Sequence, residues 1–566
     1  MDIRTRLPVL LERALKKHKK FITGTGMARL DALLDRPDAP LVVQRTRPED
    51  LHYLIKSIGI NDSQEIMLYA KVGQVKAFLE IETFQGDRFL PDRFMFYIDY
   101  LNDISHNKVL DLVDKLDAEA FALLIGKYAD VKVIDEDHDP QDEVYPLLLS
   151  PDSVFMIVFR DENATGQSEV KRLINLLYEK DIAVGRRVMF MCIYDMPSNM
   201  EENLFKMRES SMEGMGFPNY NERLDIYKWV AVSQMHELVR LGFKNRDKLN
   251  HNKTVVDDKP PAGLMIYDSF RPSIFYEALS LIEDDRIIRM VAADFQYLVD
   301  AVIRARHKDL SVDDAWKDAA ETSAAFTSVG LDFLTDGNRE MAAFVLENFY
   351  LKDIFRAGFT LMDQVSKRAK EVVKRLGSMA CLDLFDELTA SVLRELCSFP
   401  PRFYEGLKDP ASVLARDPLN YGEVALAGHM VDRAMAVLDY MSERFGFKPA
   451  EQVHIDGLGF EAIFNTASVR SLLYGEPGIT PLKAEEISNF ISFFLRDPEI
   501  TDGLRTFAAH EAEAFEKDAV KAGLLREFTN ESIEALISDL AGIDTTKPLD
   551  TRFIGGHILS DTKSFT

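Results

Sequence analysis

"DDRIIRMVAADFQYLVDAVIRAR", residues 284–306, is the stretch from which the fold class follows. Ile287, Val291, Phe295, Leu298 and Val302 recur at intervals of four, four, three and four, drawing one apolar stripe along a helix. Such a stripe needs a second apolar surface to cover it. The pattern returns in "REMAAFVLENFYLKDIF", "CLDLFDELTASVLREL", "HMVDRAMAVLDYMSERF" and "AEEISNFISFFL", with breaks such as "SFPPRFYEGLKDP" and "LLYGEPGITP" between several of them. Residues 264–550 read as a large all-helical region of about eight to ten helices, followed by a tail at 551–566.

Upstream the helices are shorter. In "TRPEDLHYLIKSIG" Thr46 stands two residues before Pro48, Glu49 and Asp50 follow, and Leu51, Leu54, Ile55 and Ile58 share one face. That is a helix start followed by a 3.6-residue period. "LPDRFMFYIDYLN", "NKVLDLVDKL" and "DAEAFALLIGKYADV" continue the series. An offset of 70 residues aligns Glu49 with Glu119, Leu51 with Phe121, Leu54 with Leu124 and Ile55 with Ile125. Residues 38–134 therefore read as a helical-repeat array, because paired short helices bury their apolar faces only by stacking on neighbours.

An acidic linker, residues 135–143, comes next: "DEDHDPQDE" places six carboxylates in nine positions. A calcium loop opening at Asp135 would need glycine at its sixth position and a carboxylate at its twelfth, where Pro140 and Pro146 stand. The stretch reads as a solvated hinge, with Asp135, Asp137 and Asp139 as candidate ligands of weakly held magnesium. No other cofactor is expected. Residues 144–259 read as a small α+β unit, opened by a β-hairpin of "VYPLLL" and "VFMIVFR" about the turn "SPDS" and closed near the linker "DDKPPAG". The fold class is thus mainly α, with a repeat array, a small α+β middle unit and an all-helical C-terminal region.

Charge excludes one class of partner. The 566 residues carry a formal net charge of −25, which repels phosphate backbones, so nucleic acid is not expected. Residues 1–37 form an arm whose first twenty residues are basic, and "RLPVLLERALKKHKKFI" within it is amphipathic. It reads as docking on the acidic body, with peripheral contact to an anionic membrane as the alternative. No apolar run approaches the ~20 residues of a spanning helix and no secretory signal is visible, so a cytoplasmic location is expected. The three cysteines are too dispersed for a disulfide framework.

Searches for chemistry return little. No two of the eleven histidines lie within four residues of each other, and Glu451 to His454 forms a Glu-x-x-His in a stretch that reads as loop. "GTGMAR" at Gly24–Arg29 lacks the last glycine of a dinucleotide loop, and no Walker or nucleophile-elbow motif occurs. "PPRFYEGL" is the most unusual composition: Arg402, Phe403, Tyr404 and Glu405 follow two prolines and are the interaction candidates. The alternative is a helix start that sends Phe403 and Tyr404 into the core.

Two resemblances add to this. "RPEDLHYLIKSIG" and "LDAEAFALLIGKY" resemble the repeats in the cytoplasmic N-terminal domain of MgtE-type magnesium transporters, over about 90 residues and without that transporter's membrane domain. The N-terminal repeat, "GFPNYNERLDIY", "FPPRFYEGLKDP" and "ASVRSLLYGEPGITPLKAEEI", in this order, are similar to a large bacterial family of unknown function, which implies no activity. The function expected is a non-enzymatic scaffold or adaptor that binds a protein partner through its helical surface. The alternatives are an enzyme with an interdomain cleft, marked by Arg402, Tyr404, His429 and Asp432, and a divalent-cation-responsive regulator.

Overall fold

Helices open where the sequence places a proline in the first turn, as at Pro48, Pro91 and Pro197. The computed structural model describes residues 26–135, 140, 145–214, 217–218, 220–244, 271–306, 313–448, 459–494, 498–514, 519–541 and 557–560. The basic residues 1–20, all of the acidic linker but Asp135 and Pro140, and "DDKPPAG" lie outside them. The chain divides into two units, Met1–Ala357 and Gly358–Thr566.

The first unit begins with α1 (Gly26–Leu34), α2 (Ala39–Arg45), α3 (Pro48–Ile58), α4 (Gln64–Tyr69) and α5 (Val72–Glu82). A two-stranded ribbon, β1 (Phe84–Gln85) and β2 (Arg88–Phe89), leads to α6 (Pro91–Ile104), α7 (His106–Val113) and α8 (Ala118–Tyr128). β3 (Ala129–Val133), β4 (Leu147–Leu149) and β5 (Phe155–Phe159) form an antiparallel sheet in the order β3-β5-β4. The expected hairpin is present, with Leu147 opposite Val158. β3 is a difference, since the sequence reads there as the end of a helix. Ala129 and Val131 point inward and Asp130 outward, an alternation too short to stand apart from the helical period that runs into it.

The unit continues through α9 (Gln167–Lys180), α10 (Ile182–Tyr194), α11 (Pro197–Gly214), α12 (Tyr220–Asp225), α13 (Val232–Arg240), α14 (Ile274–Leu279), α15 (Asp285–Ala305), α16 (Asp313–Leu334) and α17 (Arg339–Asn348). α15 is the helix of residues 284–306, capped by Asp284, whose side chain accepts from the Arg286 amide. Val291, Phe295, Leu298 and Val302 are buried as the stripe requires, but so are Gln296, Asp300 and Arg304 on a second face. α16 seats Trp316 in the core, 5.5 Å from the His52 ring of α3.

Gly166 joins the sheet to α9 with φ +78°, and a Cβ there would stand 2.7 Å from the Tyr128 ring. Gly166→Ala therefore combines left-handed strain with a clash, at a cost of about 2–3 kcal/mol. Urea unfolding should show the drop; an unchanged midpoint would mean that Tyr128 yields freely.

α18 (Leu351–Leu376) contains the unit boundary. The second unit continues with α19 (Glu387–Cys397), the ribbon β6 (Phe403–Tyr404) and β7 (Ala415–Arg416), α20 (Tyr421–Phe445), α21 (Phe460–Tyr474), α22 (Ala484–Phe494), α23 (Pro498–Ala514) and α24 (Ala519–Ala541). α24 packs on α20, α21 and α23. Phe464 anchors this core between Phe507 and Phe528, with ring centroids 5.7 and 5.9 Å away. From Ile274 to Ala541 eleven α-helices are described, against the eight to ten read from the sequence. Among the described residues no helix is long and apolar enough to cross a membrane.

Candidate functional site

Helix α8 is built to be approached. Ala122 and Gly126, four residues apart, present small side chains on one face, and β2 and the starts of α6 and α11 rise beside them. The result is an open groove of about 550 Å³ in the first unit. Phe89, Leu90, Leu123 and Met200 give it apolar walls, while Arg88, Arg93, Lys127, Arg160, Asp92, Asp130, Asp195 and Glu201 carry its charge. Several of these charges are tied down: Tyr128 donates to Asp92 at 2.5 Å, Lys127 pairs with Asp92, and Arg160 donates to Asp130 at 2.8 Å. The Lys127 and Tyr128 bonds hold the Asp92 carboxyl below the usual carboxylate range. Cys192 lines the wall, but burial pushes its thiol up to about 12, so it supplies no thiolate. Phe190, Tyr194 and Met196 are exposed at the end of α10, next to the lining residues Cys192, Asp195 and Pro197.

A second cluster in this unit is closed to solvent. Asp50 of α3 and Asp300 of α15 are 2% and 0% exposed, and burial raises their carboxyls to about 6 and about 7 against the pull of Arg47. Gln296 donates to Asp300 at 3.1 Å, Arg304 pairs with Glu209, and Arg47 pairs with Glu49. Nearby, His52 and Tyr97 both hydrogen-bond Glu82 at 2.7 Å. Burial works against ionisation of Glu82, but those bonds and Lys56 outweigh it and hold the carboxyl below its ordinary range. These groups are interior, and their arrangement fits a polar core that orients α3 on its neighbours.

In the second unit the "PPRFYEGL" stretch forms a two-residue strand, Phe403–Tyr404, followed by a 3-10 turn, Glu405–Leu407, rather than the start of an α-helix. Phe403 is fully buried, with the Arg416 guanidinium 5.2 Å from its ring centre. Tyr404 is half-buried over Gly406, and Arg402 is exposed. Glu405 pairs with Arg416 at 2.6 Å, and Arg416 reaches Glu423 through both terminal nitrogens at 2.8 and 2.9 Å. Lys408 and the Leu419 amide also donate to Glu423, each at 2.8 Å. Against the cost of burial these bonds bring the Glu423 carboxyl down to about 2. Of the sequence candidates, Phe403 and Glu405 thus serve this staple, and Arg402 faces solvent.

The four residues named for an enzymatic site go to separate neighbours. Asp432 pairs with Arg368, His429 stands 3.5 Å from Glu527, and Tyr404 and Arg402 are placed as above. Asp135 is exposed, and Asp137 and Asp139 lie outside the described residues. Among the described residues no group of three or more His, Cys, Asp or Glu side chains could hold a metal ion. Sequence reasoning missed the groove because its residues come from four separate stretches, 88–93, 122–130, 160 and 192–201. The one local signal was the small pair Ala122 and Gly126, four residues apart on α8.

The sequence matches the family described as "Family of unknown function (DUF6178)" over residues 13–560, and the chain belongs to that family. Neither the curated proteins nor the solved structures contain a match.

Proposed function

We propose that this DUF6178 protein is a non-enzymatic cytoplasmic scaffold or adaptor that binds a segment of a partner protein in the α8 groove. The make-up of the groove carries the reading. Its four basic and four acidic side chains cancel, so neither a polyanion nor a cation complements it. A polypeptide does, if it offers an apolar residue to the Ala122 and Gly126 floor and charges of both signs to the rim. Tyr194, 73% exposed, is an aromatic side chain of the kind that anchors interfaces. The likeness of residues 38–134 to MgtE-type repeats rests on sequence pattern, and it agrees with a stacked-helix surface used for protein contact.

Gly126 supplies the test, because a Cβ there meets no atom within 4 Å. Gly126→Trp fills the groove floor and removes a helix-weakening glycine, worth up to about 0.5 kcal/mol when tryptophan replaces it. The variant is expected to keep its melting temperature and to lose more than ten-fold in affinity for the protein that co-purifies with wild type from the native host. Gly73→Trp, on α5 and equally uncrowded, is the control. Full partner retention by Gly126→Trp, or equal loss in both variants, would overturn the reading.

A further inference from the structure

The second unit holds its own C-terminal segment as a binding protein holds a peptide. Residues 557–560 lie against α21 and Leu482, with a turn at His557, a bend at Ile558 and a single bridge residue at Ser560. The Leu559 amide donates to the Thr466 hydroxyl at 2.8 Å, and the Leu482 amide donates to the Leu559 carbonyl at 2.8 Å. Thr466 is fully buried and gives its own proton to the Ala462 carbonyl, so its oxygen faces the segment as an acceptor. Leu482 and Ser560 form a parallel bridge. Ile558 and Leu559 are 0% and 6% exposed. His557 is held between two carboxylates, 2.9 Å from Asp539 and 3.5 Å from Glu461.

We propose that this seat is a peptide-docking site whose resident ligand is the chain's own segment 557–560, and that it accepts in its place a peptide with histidine followed by two aliphatic residues. Backbone bonds supply affinity in such a mode, and side-chain pockets with a charged clamp supply selectivity. The contacts fit that division: Thr466 and Leu482 engage the main chain, and Glu461 and Asp539 select the imidazole. Fifteen residues, 542–556, separate the segment from the end of α24 at Ala541. A chain of that length spans at most about 50 Å, so the segment is an intramolecular ligand, present at the seat at a higher effective concentration than a free peptide. A partner peptide must compete with that tether, which makes the segment a built-in regulator of the site. This inference is independent of the α8 groove.

The probe is a fluorescent peptide of residues 551–566, titrated into full-length wild type and full-length Leu559→Asp, whose own segment no longer fits the seat. Folded Leu559→Asp should bind the peptide saturably, wild type should bind it about ten-fold or more weakly, and a peptide carrying Leu559→Asp should not bind. No binding to the folded variant, or equal binding to both proteins, overturns the proposal. If Leu559→Asp does not fold, native-state hydrogen exchange of wild type decides. The Leu482 and Leu559 amides then exchange well ahead of those of α21 if the segment detaches, and together with them if it is fixed core.

Discussion

Asp300→Asn should make the protein more stable than wild type at pH 8, although it removes a fully buried charge-bearing group. The folded state lifts Asp300 to about 7 and Asp50 to about 6, both from 3.8, chiefly through burial. A carboxyl raised by folding holds its proton longer in the folded state than in the unfolded one. Its contribution is therefore complete below about pH 4 and is lost as pH rises through 6 to 7. At about 1.4 kcal/mol per unit, the rise of Asp300 alone corresponds to roughly 4–5 kcal/mol lost by wild type across that window. Asparagine needs no ionisation and keeps an acceptor for Gln296. Urea unfolding at pH 5 and pH 8 should give curves that converge or cross, with the variant ahead by about 2 kcal/mol or more at pH 8. Parallel pH dependence in the two proteins would show that Asp300 is not held protonated.

The second large effect belongs to Glu423, and its sign is opposite. Glu423 is 1% exposed and receives four hydrogen bonds from Arg416, Lys408 and the Leu419 amide. Glu423→Gln leaves Arg416 with Glu405 as its charged partner over the Phe403 ring. Breaking a fully buried pair costs about 3–5 kcal/mol; Arg416 is 29% exposed, which sets the expectation at roughly 2–4 kcal/mol. The carboxyl is lowered from 4.5 to about 2, so its contribution is present above 4.5 and fades as pH falls toward 2. The deficit should be full at pH 7 and shrink below pH 3. Amide exchange at Glu405, which donates to the Leu414 carbonyl, should quicken in the variant. A wild-type exchange rate there would mean that β6 and β7 hold without the staple.

These two sites also mark where the sequence stops being legible. The α15 stripe could be read from its period, and the hairpin from two apolar runs about Pro151 and Asp152. Gln296, Asp300 and Arg304 could not, because polar residues four apart on a helix are by default its solvated face. They are buried because α15 is enclosed on more than the striped side. The trace was present as three polar residues in register on a helix with few others in its second half. Phe403 and Glu405 were singled out for composition, yet their roles depend on Arg416 and Glu423, which lie 11 to 20 residues away. The groove depends on strand and helix ends brought together from β2 to α11, and no window of sequence contains it.

Hydrogen exchange on the purified complex tests the central claim most directly. With the co-purifying partner added to full-length protein, slower exchange is predicted in residues 88–93, 122–130 and 192–201, which line the groove, and that protection should be lost in Gly126→Trp. Protection that falls elsewhere, or that survives with the groove filled, would contradict a scaffold working through α8.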